Sequence, residues 1–196
     1  MGEVIYLTGA PAAGKSSLSR ELRKTIPSLQ VFEYGDRLTR FVAERRGLDL
    51  TQVAVREQSA RLITPADVAD LDRILSEFIE KERTTSHVLI DSHAVTKEEY
   101  GFRITPFSLE DFAALRVTQI WVLYVPTDVA IARITANPEG RPLPSAFEAE
   151  FHTFLQATVA ATYAIRVGIA VHYFDASKSL EELVKRLATR LRSSAQ

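Results

Sequence analysis

Val4-Ile5-Tyr6-Leu7-Thr8-Gly9-Ala10-Pro11-Ala12-Ala13-Gly14-Lys15-Ser16 is the stretch that decides the fold. Its first four residues form a short apolar run of the kind that makes a buried strand. Ser16 to Lys24 has the pattern of a helix. Between them, Gly9 to Ser16 reads G-x-x-x-x-G-K-S, which in a strand–loop–helix setting is a phosphate cradle. Gly9 and Gly14 let the backbone turn tightly with no side chain in the way. The N–H groups of Ala12, Ala13, Gly14, Lys15, Ser16 and the following Ser17 can then face phosphate oxygens, helped by the positive end of the helix dipole. Lys15 reaches the β- and γ-phosphates, and the Ser16 hydroxyl is placed for Mg²⁺. The expected ligands are therefore ATP, or another nucleoside triphosphate, and Mg²⁺.

Outward from this stretch, short apolar runs alternate with helical patterns. The candidate strands are Val4–Leu7, Gln30–Tyr34, His87–Ile90, Gln119–Val125 and Ala170–Phe174. Strands alternating with helices predict an α/β fold with one parallel sheet and helices on both faces. The helix starts carry signals. Thr64-Pro65-Ala66-Asp67 is a capping box with proline at the first helical position, opening a helix to about Arg83. Ser108 and Ser179 repeat the pattern, and Gly168 closes a helix that begins near Pro144. In such a sheet the ligand lies beyond the carboxyl ends of the strands.

Several residues at those ends bear on chemistry. Asp91 closes the run Val88-Leu89-Ile90, where a carboxylate can hold Mg²⁺ opposite Ser16, or simply cap a strand. His93 can touch a phosphate or the acceptor, take part in proton transfer, or be a loop histidine bonded to backbone. Arg133 sits on a helix after the fourth expected strand. Arg141 follows in the loop Asn137-Pro138-Glu139-Gly140-Arg141-Pro142. Arginines brought over a triphosphate neutralise the charge of phosphoryl transfer, although most arginines in such loops are solvated. Asp36, Arg37 and Arg40 open the helix after the second strand and suit an anionic acceptor. Asp36 is also an ordinary helix N-terminal residue. Phe32, Phe78, Phe112, Trp121 and Tyr124 fall in periodic apolar segments and are expected in the core.

The glycine-rich loop, Tyr34-Gly35-Asp36, Val88-Leu89-Ile90-Asp91-Ser92-His93, the arginines at 133 and 141 and Ala160-Ala161-Thr162-Tyr163-Ala164 together resemble the nucleoside-monophosphate kinases. The closer likeness is to the archaeal-type and nuclear-type adenylate kinases. The resemblance implies a single P-loop NTPase domain over residues 1–196, of three layers α/β/α. It implies five parallel strands in the order 2-3-1-4-5 and a short lid at about 134–145. It also implies transfer of the γ-phosphate of Mg-ATP to AMP. By position, Lys15, Arg133, Arg141 and Asp91 would serve catalysis, and Ser16 and Asp91 the metal. Ala176, in Asp175-Ala176-Ser177, would lie near the adenine. Asp36, Arg37, Arg40, Arg61 and His93 would face the acceptor, Arg61 because Glu57–Leu62 resembles the acceptor-side region. Two positions depart from the archaeal pattern: Glu139 stands where an arginine is usual, and Asp36 where a threonine is usual. These departures keep two other functions open. One is a kinase of another small metabolite, such as a sugar acid or nucleoside; the other is a nucleotide-switched ATPase that binds a partner.

Composition limits the rest. The 196 residues carry 24 Lys and Arg against 25 Asp and Glu, a formal net charge of −1. That balance gives no reason to expect a nucleic-acid or membrane-surface partner. The chain has no cysteine, which excludes disulfides and thiolate chemistry. No basic-then-apolar leader opens the sequence and no apolar run nears the ~20 residues that span a bilayer. The expectation is a soluble cytoplasmic protein, with a homo-oligomer left open.

Overall fold

The computed structural model describes residues 1–47, 62–138 and 142–193. Five strands form one parallel sheet: β1 (Val4–Gly9), β2 (Gln30–Glu33), β3 (Val88–Asp91), β6 (Gln119–Tyr124) and β7 (Val171–Asp175), in the order β2-β3-β1-β6-β7. Counting only these strands, this is the expected order 2-3-1-4-5. The central strand β1 is buried along its whole length because both sheet faces are covered. Its register is set against both neighbours, with Leu7 opposite Asp91 of β3 and Trp121 of β6.

Alternation along the strands makes two cores. Tyr6, Phe32, Ile90 and Val122 point to one face, under α2 (Tyr34–Arg46), α3 (Pro65–Glu82), α4 (Leu109–Ala114) and α6 (Ala146–Val167). Ile5, Leu7, Leu89, Trp121 and Leu123 point to the other, under α1 (Lys15–Thr25) and α7 (Leu180–Ser193). The first core is aromatic: Phe112 stacks on Tyr163 at 4.0 Å, and Tyr6 meets both rings edge-on. The remaining helix, α5 (Thr127–Ala136), follows β6.

The helix signals act as expected. Thr64 and Asp67 form a reciprocal capping box at the start of α3, with Pro65 in the first turn. Ser108 caps α4; Ser145 and Glu148, which the sequence reading did not single out, form a second reciprocal box at the start of α6. Gly168 ends α6 with φ 71°, a left-handed conformation that favours glycine.

Three expectations are corrected. Strand β2 stops at Glu33, and Tyr34 is the first residue of α2, where its hydroxyl donates to Asp72 Oδ1 of α3 at 2.6 Å. Tyr124 is 39% exposed rather than core. It ends β6, one step beyond Val122 on the same face, where the covering helices no longer reach. Between β3 and α4 lies an antiparallel hairpin without a counterpart in the expected strand set: β4 (Val95–Glu98) and β5 (Gly101–Ile104). Of the expected lid, residues 134–136 are the last turn of α5 and Ser145 is the N-cap of α6. Residues 139–141 lie outside the described residues. Among the described residues no helix is long and apolar enough to cross a membrane.

Candidate nucleotide site

The site begins where β1 runs out. Gly9 has φ 150°, and a Cβ there would lie 2.4 Å from the Leu123 carbonyl oxygen of β6. Only glycine lets β1 leave the sheet this close to its neighbour. The loop folds back through an Ala13 N–H to Ala10 carbonyl bond of 3.2 Å, with Ala12 itself left-handed at φ 62°. Gly14, at φ 93°, is the N-cap of α1 and offers no capping side chain. The first-turn N–H groups of Lys15, Ser16 and Ser17 thus start a helix whose dipole points its positive end into the loop.

Lys15 folds over this loop, its Nζ donating to the Gly9 carbonyl at 2.9 Å. Asp91 ends the adjacent strand and is only 9% exposed. Burial pushes its carboxyl above the usual range; the nearby Lys15 ammonium opposes that shift, and Glu33 adds to it. Glu33 is paired in register with Asp91 at the end of β2. One ammonium and two carboxylates therefore stand near the carboxyl ends of β1, β2 and β3, a donor set that would suit a divalent ion. The cradle geometry and this donor set fit a Mg-nucleotide. Ser16 and Asp91 are the side chains suited to the metal.

Arg133, in the last turn of α5, lies under the loop. It donates to the Ala12 carbonyl at 3.0 Å and to the Ala176 carbonyl at 2.9 Å. It thereby ties the phosphate loop to the turn after β7. That turn is shaped by Asp175, whose Oδ1 accepts from the Ser177 N–H and hydroxyl, and by Ala176 N–H donating to the Tyr124 carbonyl. These bonds to Ser177 hold the Asp175 carboxyl below its usual range. The structure thus brings Lys15, Asp91, Arg133 and Ala176 around one loop.

His93 is exposed, two residues beyond Asp91. Asp36, Arg37 and Arg40 form a separate group. Arg40 and Asp36 make an ion pair, and the Arg37 guanidinium lies 4.3 Å over the Phe32 ring and 5.0 Å over Phe78. All three line a groove on the outer edge of β2 with Arg23, Gln30, Val31 and Glu33. Arg23 is eight residues along α1 from Lys15, about 12 Å at 1.5 Å per residue. The groove thus runs from Glu33 and Asp36, at the carboxyl end of β2, down the side of the sheet to Arg23. Arg61 and Arg141 lie outside the described residues.

Sequence reasoning missed Glu33, although its place at a strand end was a usable signal. It also missed Gln156 of α6, whose buried amide donates to the Thr8 hydroxyl oxygen at 3.2 Å. Nothing local marks that residue.

Comparison with known proteins follows the same lines. The chain is 25% identical over 207 residues to an adenylate kinase of Methanopyrus kandleri, covering 98% of this chain and all of that one. Among solved structures it resembles a shikimate kinase from Bacteroides thetaiotaomicron, with TM-score 0.57 and 18% identity over 97% of this chain and 98% of that one. It also resembles a sugar kinase from a Janibacter species, with TM-score 0.55 and 16% identity over 96% and 94% of the two chains. At these identities the two structures speak to fold alone, and the fold they share is that of P-loop kinases. Residues 8–150 match a family model described as an AAA domain. That match spans well over half of the chain and begins one residue before the glycine-rich loop, so the chain belongs to the AAA-domain family, built here on a P-loop kinase-like fold.

Proposed function

We propose that the protein is a phosphotransferase that moves the γ-phosphate of Mg-ATP to a nucleoside monophosphate, AMP first. The observation that carries the reading is Lys15 held at the mouth of the glycine-rich loop beside the buried Asp91. The full-length likeness to an adenylate kinase supports AMP as the acceptor. Phosphoryl transfer needs little covalent chemistry from the protein and depends on positioning and charge stabilisation. In this reading the N–H groups of Ala12 to Ser17 bind the phosphates. Lys15 leaves the Gly9 carbonyl to stabilise the terminal phosphates. Ser16 and Asp91 would hold Mg²⁺, which would supply positive charge against the phosphates. Arg133 keeps the phosphate loop and the Ala176 turn in register, so that both ends of the nucleotide meet a preset surface. His93 faces the acceptor, and Arg141 supplies a lid cation.

One observation favours a second reading, an acceptor that offers a hydroxyl rather than a phosphate. Glu33 joins Asp91 on the acceptor side, while Arg37 and Arg40 are engaged by Phe32 and Asp36. Carboxylates suit a hydroxyl nucleophile and repel a monophosphate. The deciding experiment measures ADP production at fixed Mg-ATP with AMP, CMP, UMP, GMP, adenosine and gluconate. A rate raised by AMP above all others supports the first reading. A rate raised only by adenosine or gluconate supports the second. Hydrolysis indifferent to every acceptor overturns both in favour of an ATPase.

A further inference from the structure

The segment from Asp91 to Val95 connects the candidate site to the hairpin as a short arch, and both of its feet are tied to β1. At the first foot, Ser92 N–H donates to the Leu7 carbonyl at 3.1 Å, with the Ser92 side chain beside the Tyr6 hydroxyl. At the second foot, Val95 N–H donates to Gln156 Oε1 at 3.1 Å. The other end of the same amide donates to Thr8 Oγ1, and Thr8 in turn contacts the Tyr6 hydroxyl. The hydrogen-bonded run Thr8–Gln156–Val95 is buried, as are Tyr6 and Ser92 beside it: Tyr6, Gln156 and Val95 are at most 1% exposed, Thr8 2% and Ser92 5%. Thr8 is the residue before Gly9. Gln156 is therefore the side chain of α6 that joins the start of the phosphate loop to the far foot of the arch carrying Asp91 and His93.

A buried amide with both ends satisfied is a specific spacer, because a wrong length leaves two polar groups without partners. The hairpin has other anchors on α6. His152 Nε2 meets the Val95 carbonyl at 3.1 Å, Lys97 pairs with Glu148 at 2.7 Å, and Phe102 packs against Phe151 and His152. Those contacts suffice to hold the hairpin on the helix. None of them reaches β1. The Gln156–Thr8 bond links the same helix to β1, between arch and loop.

We propose that Gln156 is a positioning residue for phosphoryl transfer, fixing the Asp91–His93 arch against the glycine-rich loop through Thr8. This rests on the phosphotransferase reading. Misplacing a reacting group by about 1 Å can cost on the order of a hundredfold in rate. Three variants separate the roles. Gln156→Met keeps the length and removes both bonds. Thr8→Val keeps the shape of β1 and removes the acceptor of the Gln156 amide while leaving the Gln156–Val95 bond. His152→Leu removes a hairpin anchor that does not touch β1. The expected result is that Gln156→Met and Thr8→Val each lower kcat by about ten- to a hundredfold, with KM for ATP changed by less than about twofold. The double variant should be no worse than either alone, and His152→Leu should lower the melting temperature without a comparable loss of kcat. Amide hydrogen exchange gives a readout independent of the acceptor. In Gln156→Met, exchange should rise in peptides covering both residues 8–15 and residues 91–95, whereas in His152→Leu it should rise only around the hairpin. A folded Gln156→Met with unchanged kcat, or with exchange raised in the hairpin alone, overturns the proposal. If Gln156→Met does not fold, Thr8→Val decides by the same two readouts. If wild type shows no acceptor-dependent turnover, the kinase reading fails, and the exchange pattern still decides whether Gln156 couples arch and loop.

Discussion

Lowering the pH should destabilise this protein, in large part through a histidine on α6. His152 is 5% exposed, its Nε2 is against the Val95 carbonyl, and its ring lies 5.1 Å from Phe102. Desolvation depresses its pKa to about 4; the Val95 carbonyl opposes that shift, and the charges of Lys15 and Lys97 reinforce it. Glu148 faces Lys97 from one turn earlier on α6. In the unfolded chain the ring titrates near 6.5. Between about pH 6.5 and 4 the unfolded chain binds more protons than the folded one, so stability rises with pH across that window. The stability is fully present above pH 6.5 and is lost as pH falls toward 4. A shift of about 2.5 units corresponds to about 3 kcal/mol, of which about 2 kcal/mol is gone by pH 5. The assay is urea unfolding followed by fluorescence of the buried Trp121, the chain's single tryptophan, at pH 7.5, 6.5, 5.5 and 5.0. His152→Gln keeps a hydrogen-bond donor and does not titrate, so its stability should fall less steeply than wild type's over the same range, the remaining slope coming from His87 and His172, whose pKa values burial also lowers. The carboxyl groups held low in the fold, Glu148 at about 2 among them, titrate mainly below this window and are common to both proteins. Equal pH slopes for wild type and His152→Gln would refute the argument.

Other perturbations act on the site itself. Gly9→Ala sets a Cβ 2.4 Å from the Leu123 carbonyl oxygen at a positive φ. It should cost about 2 kcal/mol or more in stability and abolish binding of a fluorescent ATP analogue. Asp91→Asn keeps the shape but loses the charge beside Lys15. The Mg²⁺ needed for half-maximal turnover at saturating ATP should rise several-fold, and an unchanged Mg²⁺ titration would make Asp91 purely structural. Arg133→Lys cannot span the Ala12 and Ala176 carbonyls with one fork. KM for ATP should rise by about tenfold with kcat less affected, whereas a fall in kcat alone would assign Arg133 to the transferring phosphate.

The parts of the fold that could be read from sequence are those whose causes are local. The cradle is local because Gly9 and Gly14 are the residues its backbone angles require. The starts of α3, α4 and α6 are local because Thr64, Ser108 and Ser145 cap helices within their own first turn. Strand order was reached through the family resemblance rather than from periodicity. The hairpin was hidden because Val95-Thr96-Lys97-Glu98 has little apolar alternation. Its anchors, His152 and Gln156, come from 57 and 61 residues away. Asp36, Arg37 and Arg40 were expected at the acceptor side because they follow β2. The start of the helix is legible, but nothing local signals where Arg37 rests. Arg37 is drawn onto Phe32 and Phe78, and that places the group along the outer edge of the sheet.

The most direct measurement follows the phosphate itself. Wild type and Lys15→Ala are incubated with Mg²⁺, AMP and ATP labelled at the γ-phosphate, and the products are separated. Lysine to alanine in the first turn of α1 is well tolerated by the helix, so the variant should remain folded. The account predicts label in the β-phosphate of newly formed ADP with wild type, and none above background with Lys15→Ala. Label released as inorganic phosphate at the same rate with or without AMP, or equal transfer by a folded Lys15→Ala, would contradict it.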